Sequence, residues 1–401
     1  MISLEDIQKA ADVLRGKIIR TPLIYSPTFS RVSGAEVYLK LENLQIAGSF
    51  KVRGATYKIQ TRQDEIGHQG VVAASAGNHA QGVALAAKGA GLPATIVMPK
   101  WVSMSKQEAT REYGAEIILK GNSVGESIQF AHELAQAGKT FIHPYDDLDI
   151  ITGQATIGLE IFQDLPDADM IFVPIGGGGL ISGIASAAKA IRPETRIVGV
   201  EARACPSAYQ SRLNGKVTKV DAEKSIADGI TVKQIGEINF PIIEENVDEI
   251  VLVEEDQINA AIFTLLERKK VLAEGAGAVT LAALLYSKIQ IPEGSKVVLV
   301  ISGGNLDGLL VDRIIVQGLQ RNGQIMEFTV SLENDPGSLT RLLDLITKKQ
   351  GNVLRIHHAH RGRNQPIRMT LLNLTVETRN FEHIKMIAEE LRERGYRIGM
   401  K

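Results

Sequence analysis

One cysteine, Cys205, is all that this 401-residue chain offers for cross-linking. That excludes an internal disulfide framework and any Cys-rich metal site, and it fits a reducing compartment. Long apolar runs are also missing, so no segment reaches the length that a membrane-spanning helix needs. An excess of one charge is absent too: 45 Lys and Arg stand against 46 Asp and Glu, a formal net charge of -1. A chain so balanced has no general field to attract a polyanion, and nucleic acid is not expected as a partner. The opening MISLEDIQKAADVLRGK mixes acids, bases and apolar residues at helical spacing. It lacks the basic start and apolar middle of a signal peptide, so an unprocessed cytoplasmic protein is expected. Short-period repeats and low-complexity segments are lacking as well.

What is present is an ordinary globular composition, 44% hydrophobic and 23% charged, in a chain long enough for two or three domains. Between about residues 35 and 320, short β-rich runs alternate with amphipathic stretches. The runs are AEVYLKLE, GVVAASA, PATIVMP, AEIILKG, TFIHPY, MIFVPIG, RIVGVEA, EIVLVEE and KVVLVIS. Such alternation predicts parallel sheets with helices on both faces, the α/β class. Nearly unbroken apolar runs such as VVLVI predict strands buried on both sides. After Gly323 the pattern changes. MEFTVSLE alternates, PGSLTRLLDLITKKQ reads as a helix opened by Pro336, and NVLRIHHAH, IRMTLLNLTVET and FEHIKMIAEELRERG come after it. Two βαβ-like halves predict a ferredoxin-like βαββαβ module over 325–401, joined through LQRNGQ to a larger part spanning 1–322.

Three glycine-rich turns stand directly after predicted strands: SAGNHAQG (75–82), GGGGL (176–180) and SGGN (302–305). Ligands of open α/β sheets bind at the carboxyl ends of strands, so these turns could line one crevice. In VPIGGGGLISGIASAAKAI, residues without Cβ let successive N–H groups close on an anion, and the following helix N-terminus adds a favourable dipole. A phosphate group is the expected guest, but neither common nucleotide fingerprint fits. A dinucleotide motif needs glycine where Ile181 stands, and a P-loop needs lysine where Ile184 stands. Tight helix-to-strand packing is the competing account of the glycine run.

NLQIAGSFKVRGA (43–55) places Lys51 where a loop turns into a helix, with Ser49 as the expected N-cap. An amine at a helix N-terminus beside Phe50 loses part of its preference for the charged form, which is the setting of a Schiff-base lysine. By itself the position is that of any solvated first-turn lysine.

GSFKVRGA, SAGNHAQGVA, GGGGL and SGGN, in that order and at those separations, resemble the fold-type II pyridoxal-phosphate enzymes, and among them the threonine dehydratases, over essentially residues 1–320. Residues 326–401, with NDPGSL opening the helix, resemble an ACT domain, a regulatory module that binds an amino acid. The resemblance implies two parallel-sheet lobes, the smaller within about 43–145. It implies Lys51 as the cofactor-bearing lysine, Phe50 against the cofactor ring, Asn78 on the ring's 3'-oxygen, and Gly176, Gly177, Gly178 and Gly179 around the cofactor phosphate. Ser302 would face the pyridine nitrogen. The turn of Ser75, Gly77, Asn78 and His79 would hold the substrate carboxylate.

The activity that the resemblance implies is β-elimination from L-threonine to 2-oxobutanoate and ammonia, with L-serine as a second substrate and Lys51 as the base at Cα. Serine dehydratase and serine racemase are the neighbouring alternatives, and a non-catalytic amino-acid-responsive regulator is the alternative of another class. Serine racemases of the family carry a second serine in the substrate loop where this chain has Ala76, which favours the dehydratase. They also carry an acidic metal ligand where this chain has Ser207. No divalent metal is therefore expected, and Glu201 is left as an option for a monovalent cation. The ACT resemblance implies an amino-acid effector, isoleucine first, and a homo-oligomer. Four further features remain open between two accounts. Glu274 either approaches the cofactor or caps a helix, and Gln154 either supports the Asn78 loop or is an ordinary helix residue. In HHAH only His358 and His360 share a strand face, which fits surface histidines better than a metal site; Cys205 reads as inert.

Overall fold

A computed structural model describes residues 2–359 and 368–400. The chain divides into two compact units, Met1–Leu306 and Asp307–Lys401. No described helix is long and apolar enough to cross a membrane.

The first unit holds two sheets. In the larger, the strand Lys296–Ile301 lies between Glu36–Leu41 and Met170–Pro174, followed outward by Arg196–Ala202 and Glu249–Val253, all parallel; the short strand Leu23–Tyr25 adds antiparallel at the other edge. The smaller sheet is parallel throughout, in the order Glu116–Leu119, Ala94–Met98, Val71–Ala74, Thr140–Phe141. Every predicted β run from AEVYLKLE to KVVLVIS contributes a strand to one of these sheets. Only Leu23–Tyr25 was not foreseen, since three residues carry too little alternation to register. Central strands such as Val71–Ala74 and Met170–Pro174 are buried along their whole length, as helices on both faces require. The first unit is thus of the α/β class with two largely parallel sheets, as the alternation of runs predicted.

Helix Lys51–Thr61 is fixed by two neighbours. It crosses helix Leu148–Asp164 so closely that a Cβ on Gly153 would lie 2.6 Å from the Cα of Gly54. At that crossing Gln154 Oε1 accepts the N–H of Gly54 (3.3 Å), meeting one of the donors that a helix's first turn leaves unpaired. Gln154 therefore supports the Lys51 helix and not the Asn78 loop. On the residue before Gly54, the guanidinium of Arg53 is fully buried between two carboxylates. It donates to Glu42 Oε1 and Oε2 (2.8 Å each) and to Glu160 Oε1 and Oε2 (2.7 and 2.9 Å). Lys40 completes the cluster through Glu160 Oε2 (2.5 Å) and the carbonyl of Thr21 (2.7 Å), while the Thr21 hydroxyl donates to Glu42. Burial alone would raise the Glu42 carboxyl; Arg53 and Lys40 outweigh it and hold it below its ordinary value.

The second unit is a four-stranded antiparallel sheet in the order Asn352–Ala359, Met369–Glu377, Ile325–Glu333, Ile398–Met400, with helices Ser338–Lys348 and Phe381–Glu393 between strands. Its βαββαβ order is ferredoxin-like. Two details depart from the sequence-based expectation. The helix opens at Ser338 behind a left-handed Gly337, because Pro336 and Gly337 form the turn that precedes it. Helix Gly308–Arg321 packs with the strand Ile325–Glu333 and belongs to this unit, so the division falls at Leu306 and not at LQRNGQ. His357 and His358 are exposed on their strand, and His360 lies outside the described residues.

Replacing Arg53 by methionine leaves Glu42 and Glu160 without their shared partner, which should cost about 3–5 kcal/mol of stability in denaturant titration. Since the folded Glu42 pKa lies below its ordinary 4.5, its own contribution is complete above that pH and is lost as pH falls through the lower folded value. The stability difference between native protein and Arg53→Met should accordingly narrow in acid.

Candidate active site

The loop before the Lys51 helix is pinned against the SGGN turn. Phe50 N donates to the carbonyl of Ser302 (3.1 Å), Ser49 pairs with Gly303 as an isolated antiparallel bridge, and Gly304 N donates to the carbonyl of Gly48 (2.9 Å). Ser49 was expected to cap the helix, but the pairing with Gly303 turns it away. Phe50 is the observed N-cap residue, no side chain caps the helix, and the buried Ser49 hydroxyl has no hydrogen-bond partner. The Phe50 ring packs on the core of the larger sheet, and the Lys51 amine lies 5.2 Å from its centroid.

The amine of Lys51 donates to the carbonyl of Pro144 (2.7 Å). That carbonyl is aimed by His143, whose Nδ1 accepts the N–H groups of Tyr145 (3.3 Å) and Asp146 (2.8 Å). Burial pushes the His143 pKa down to about 4, so Nδ1 stays an acceptor at neutral pH. Loss of hydration also lowers the Lys51 pKa to about 8, against the opposing pull of Glu274. Desolvation is thus the main cause of the shift, ahead of the helix-terminus effect invoked from the sequence.

Asn78 opens the helix Asn78–Gly89 at the end of strand Val71–Ala74. Its Nδ2 donates to Glu274 Oε1 (2.6 Å), and its Oδ1 accepts from Asn305 Nδ2 (2.8 Å). Glu274 stands at the N-cap of helix Gly275–Tyr286 but makes no side-chain cap bond, so the capping account of it fails. Burial, aided by Asp228, raises its carboxyl to about 7. In the turn after strand Val71–Ala74, Ser75 Oγ accepts the N–H of Gly77 (3.1 Å). The His79 ring faces the carbonyl of Ile142 (2.9 Å), and burial drops its pKa to about 3. What His79 offers to this turn is therefore its backbone N–H, one of the unpaired donors of a helix N-terminus. Ala76 packs on the small-lobe core.

The glycine run reaches this cluster through Tyr145, the residue after Pro144. A Cβ on Gly177 would overlap the Tyr145 ring, one on Gly179 would come 2.9 Å from the Tyr145 carbonyl, and one on Gly176 would come 3.0 Å from the Ile230 Cα. Packing therefore does explain part of the run. Gly178 is demanded twice over, since a Cβ there would come 2.8 Å from the Asn239 Cβ and its φ of +100° disfavours any side chain; it is the N-cap of helix Gly179–Ile191, with no side-chain cap bond. The first-turn N–H groups of that helix remain available to an anion. Beside Gly178 the buried Asn239 Oδ1 has no partner. A glycine cradle at a helix N-terminus, a lysine with depressed pKa, the Asn78 amide, the buried Ser302 and the orphaned Ser49 hydroxyl fit a phosphorylated aldehyde cofactor.

The comparisons agree with that chemistry. The family model described as pyridoxal-phosphate dependent enzyme matches residues 14–303. The chain belongs to this family. It is 45% identical over 399 residues to an L-threonine ammonia-lyase of Thermotoga maritima, covering 99% of both chains. Among solved structures, maize serine racemase is similar with a TM-score of 0.75 and 35% identity, over 80% of this chain and 98% of that one. The processed form of threonine deaminase isoform 2 from Solanum lycopersicum is similar with a TM-score of 0.73 and 37% identity, over 78% of this chain and 86% of that one.

Three positions of this site were not read from the sequence: Tyr145, Asn305 and Gly229, whose added Cβ would lie 3.6 Å from Glu274 Oε1. Asn305 stood in view inside SGGN, whereas Tyr145 only ended the β run TFIHPY and Gly229 lies in the short 3-10 turn Asp228–Ile230, neither carrying a local signal of function. Away from the site, Glu201 accepts the N–H groups of Ala208 and Tyr209 (2.8 Å each), and burial raises its carboxyl to about 8. Burial likewise pushes the Cys205 thiol up to about 11. No group of three or more His, Cys, Asp and Glu able to hold a metal occurs among the described residues.

With a pKa of about 8, Lys51 is roughly one-tenth neutral at pH 7, while an ordinary lysine is neutral in only a few parts per ten thousand. Brief exposure of the cofactor-free protein to a small aldehyde with borohydride should label Lys51 first, with a midpoint near pH 8 by peptide mass spectrometry. Labelling spread evenly over surface lysines would contradict the shift.

Proposed function

We infer that this chain is a pyridoxal-phosphate-dependent threonine ammonia-lyase, converting L-threonine to 2-oxobutanoate and ammonia and L-serine to pyruvate and ammonia. The observation that carries the reading is the desolvated Lys51 amine in one crevice with Asn78, Glu274, Ser302 and the glycine turn, in a chain similar end to end to an L-threonine ammonia-lyase. Lys51 is assigned to hold the cofactor, Phe50 to lie against its ring and Asn78 to meet its ring oxygen. Gly176 to Gly179 are assigned to its phosphate and Ser302 to its ring nitrogen. When bound, the cofactor withdraws electrons from the substrate's Cα. Ser75, Gly77, Asn78 and His79 orient the carboxylate at the helix N-terminus. Lys51, whose depressed pKa leaves a usable neutral fraction near pH 7, is assigned to remove the Cα proton, as a base within reach can do. The Cβ hydroxyl then departs. The water lost in elimination is returned in hydrolysis, so threonine leaves as 2-oxobutanoate and ammonia.

Two residues steer the outcome. Ser302 offers the ring nitrogen a hydroxyl, which cannot hold a proton there as a carboxylate would, and this disfavours a long-lived carbanion. Ala76 offers no acid or base on the face opposite Lys51, which disfavours reprotonation with inverted configuration. Likeness to maize serine racemase makes racemisation the second reading. The methyl group that separates threonine from serine is worth only about 1–3 kcal/mol in a pocket, so both substrates are accepted.

The unit Asp307–Lys401 is read as an ACT-type regulatory domain that binds a branched-chain amino acid and pairs between subunits of a cytoplasmic homo-oligomer. Its ferredoxin-like order and the NDPGSL turn support this. Isoleucine is the first effector to test, because it lies downstream of 2-oxobutanoate.

Oxo-acid formation should be found with L-threonine and L-serine, and D-serine should not accumulate. D-serine produced faster than pyruvate would favour the racemase. In Lys51→Ala turnover should fall by about a hundredfold to ten-thousandfold, together with loss of the visible absorbance of bound cofactor. Deleting Asp307–Lys401 should remove the response of turnover to isoleucine or valine while threonine is still consumed; a truncated protein that still responds would place the effector site elsewhere.

A further inference from the structure

Asn305 ends the SGGN turn and spends its amide nitrogen twice, donating to the carbonyl of Ala47 (2.8 Å) and to Asn78 Oδ1 (2.8 Å). An amide nitrogen has two hydrogens, so both are used. Room for this side chain is made at Gly48, which sits at φ +69° and where a Cβ would overlap Asn305 Oδ1. The same Gly48 carbonyl accepts the N–H of Gly304 (2.9 Å), so Asn305 is held by both of the turns it joins.

The consequence falls on Asn78. The two ends of a carboxamide have the same shape and opposite chemistry, and only their neighbours decide which end points where. Here Asn305 presents a hydrogen to one end and Glu274 presents an oxygen to the other, at 2.8 and 2.6 Å. Turning Asn78 over would set NH2 against NH2 and oxygen against a carboxylate oxygen, losing two hydrogen bonds in a buried setting. Asn305 thus makes only one orientation of Asn78 acceptable, with its donor end on the Glu274 side.

We propose that Asn305 is a positioning residue that fixes the donor end of the Asn78 amide toward the cofactor's ring oxygen. This rests on the assignment of Asn78 made above. In Asn305→Asp an acceptor replaces the donor, Asn78 turns its NH2 toward position 305, and its oxygen faces the ring oxygen instead. In Asn305→Ala this half of the lock is lost, Glu274 alone orients the amide, and the turned-over orientation gains population.

The test is a double-mutant cycle on the full chain reconstituted with pyridoxal phosphate. It measures the cofactor dissociation constant by fluorescence titration and the absorbance maximum of the bound form, with the melting temperature followed alongside. Asn305→Asp should weaken cofactor binding about tenfold and shift the absorbance maximum, as expected for one lost hydrogen bond to a charged or strongly polar group. In the Asn78→Ala background the same substitution should change the constant by less than about twofold, because the amide through which it acts is gone. Asn305→Ala should show the same dependence on background and serves if the aspartate variant does not fold. Equal losses in both backgrounds would mean that Asn305 merely braces the turn, and would overturn the inference alone. If Asn78→Ala by itself leaves both the constant and the absorbance unchanged, the assignment of Asn78 falls and the inference falls with it.

Discussion

The fully buried guanidinium of Arg53 between Glu42 and Glu160 is the constraint on which the first unit's geometry rests. It ties three elements through one buried group: the segment after strand Glu36–Leu41, helix Lys51–Thr61 and helix Leu148–Asp164. Apolar packing sets how close these elements come but tolerates small slides. Paired carboxylates around a planar fork do not, because each displaced bond leaves a buried charge exposed to a poor environment. Since Arg53 lies two residues from Lys51, the rigidity that it imposes reaches the amine directly. The glycine crossing of Gly54 and Gly153 works in the same direction, bringing the two helices within backbone contact.

Around Lys51, polar groups are arranged so that few are free to titrate or turn. Pro144 receives the amine, His143 aims Pro144, and Glu274 and Asn305 share Asn78. Four chain segments distant in sequence supply these groups; Glu274 comes from the head of helix Gly275–Tyr286, and the other three come from the turns after strands Val71–Ala74, Thr140–Phe141 and Lys296–Ile301. That is the general location of ligand sites in open parallel sheets. A lysine of depressed pKa and a glycine-opened, uncapped helix terminus, the two features that a phosphorylated aldehyde requires, are joined here through the Pro144–Tyr145 loop.

The α/β class and nearly every strand of the first unit were legible because alternation and apolar runs are written locally. So was the βαββαβ order after Gly323. The glycine turns were visible as composition, and the order of four motifs gave the family. What the sequence withheld was direction. Ser49 reads as a cap, yet its pairing with Gly303 comes from a segment some 250 residues away. Gln154 reads either as a support of the Asn78 loop or as an ordinary helix residue, yet the close helix crossing hands it to Gly54. Gly177 and Gly179 read as a phosphate cradle, and half of their reason turned out to be the ring and carbonyl of Tyr145. Such choices depend on which side chain arrives across the crevice, and no local pattern records that.

Tyr145 carries one more implication. Its backbone continues the small-sheet strand Thr140–Phe141, while its ring lies on Gly177 at the mouth of a large-sheet helix. The glycine turn and the Lys51 amine therefore answer to one short loop, since Pro144, whose carbonyl receives the amine, and Tyr145, whose ring takes the space over Gly177, are consecutive links of it.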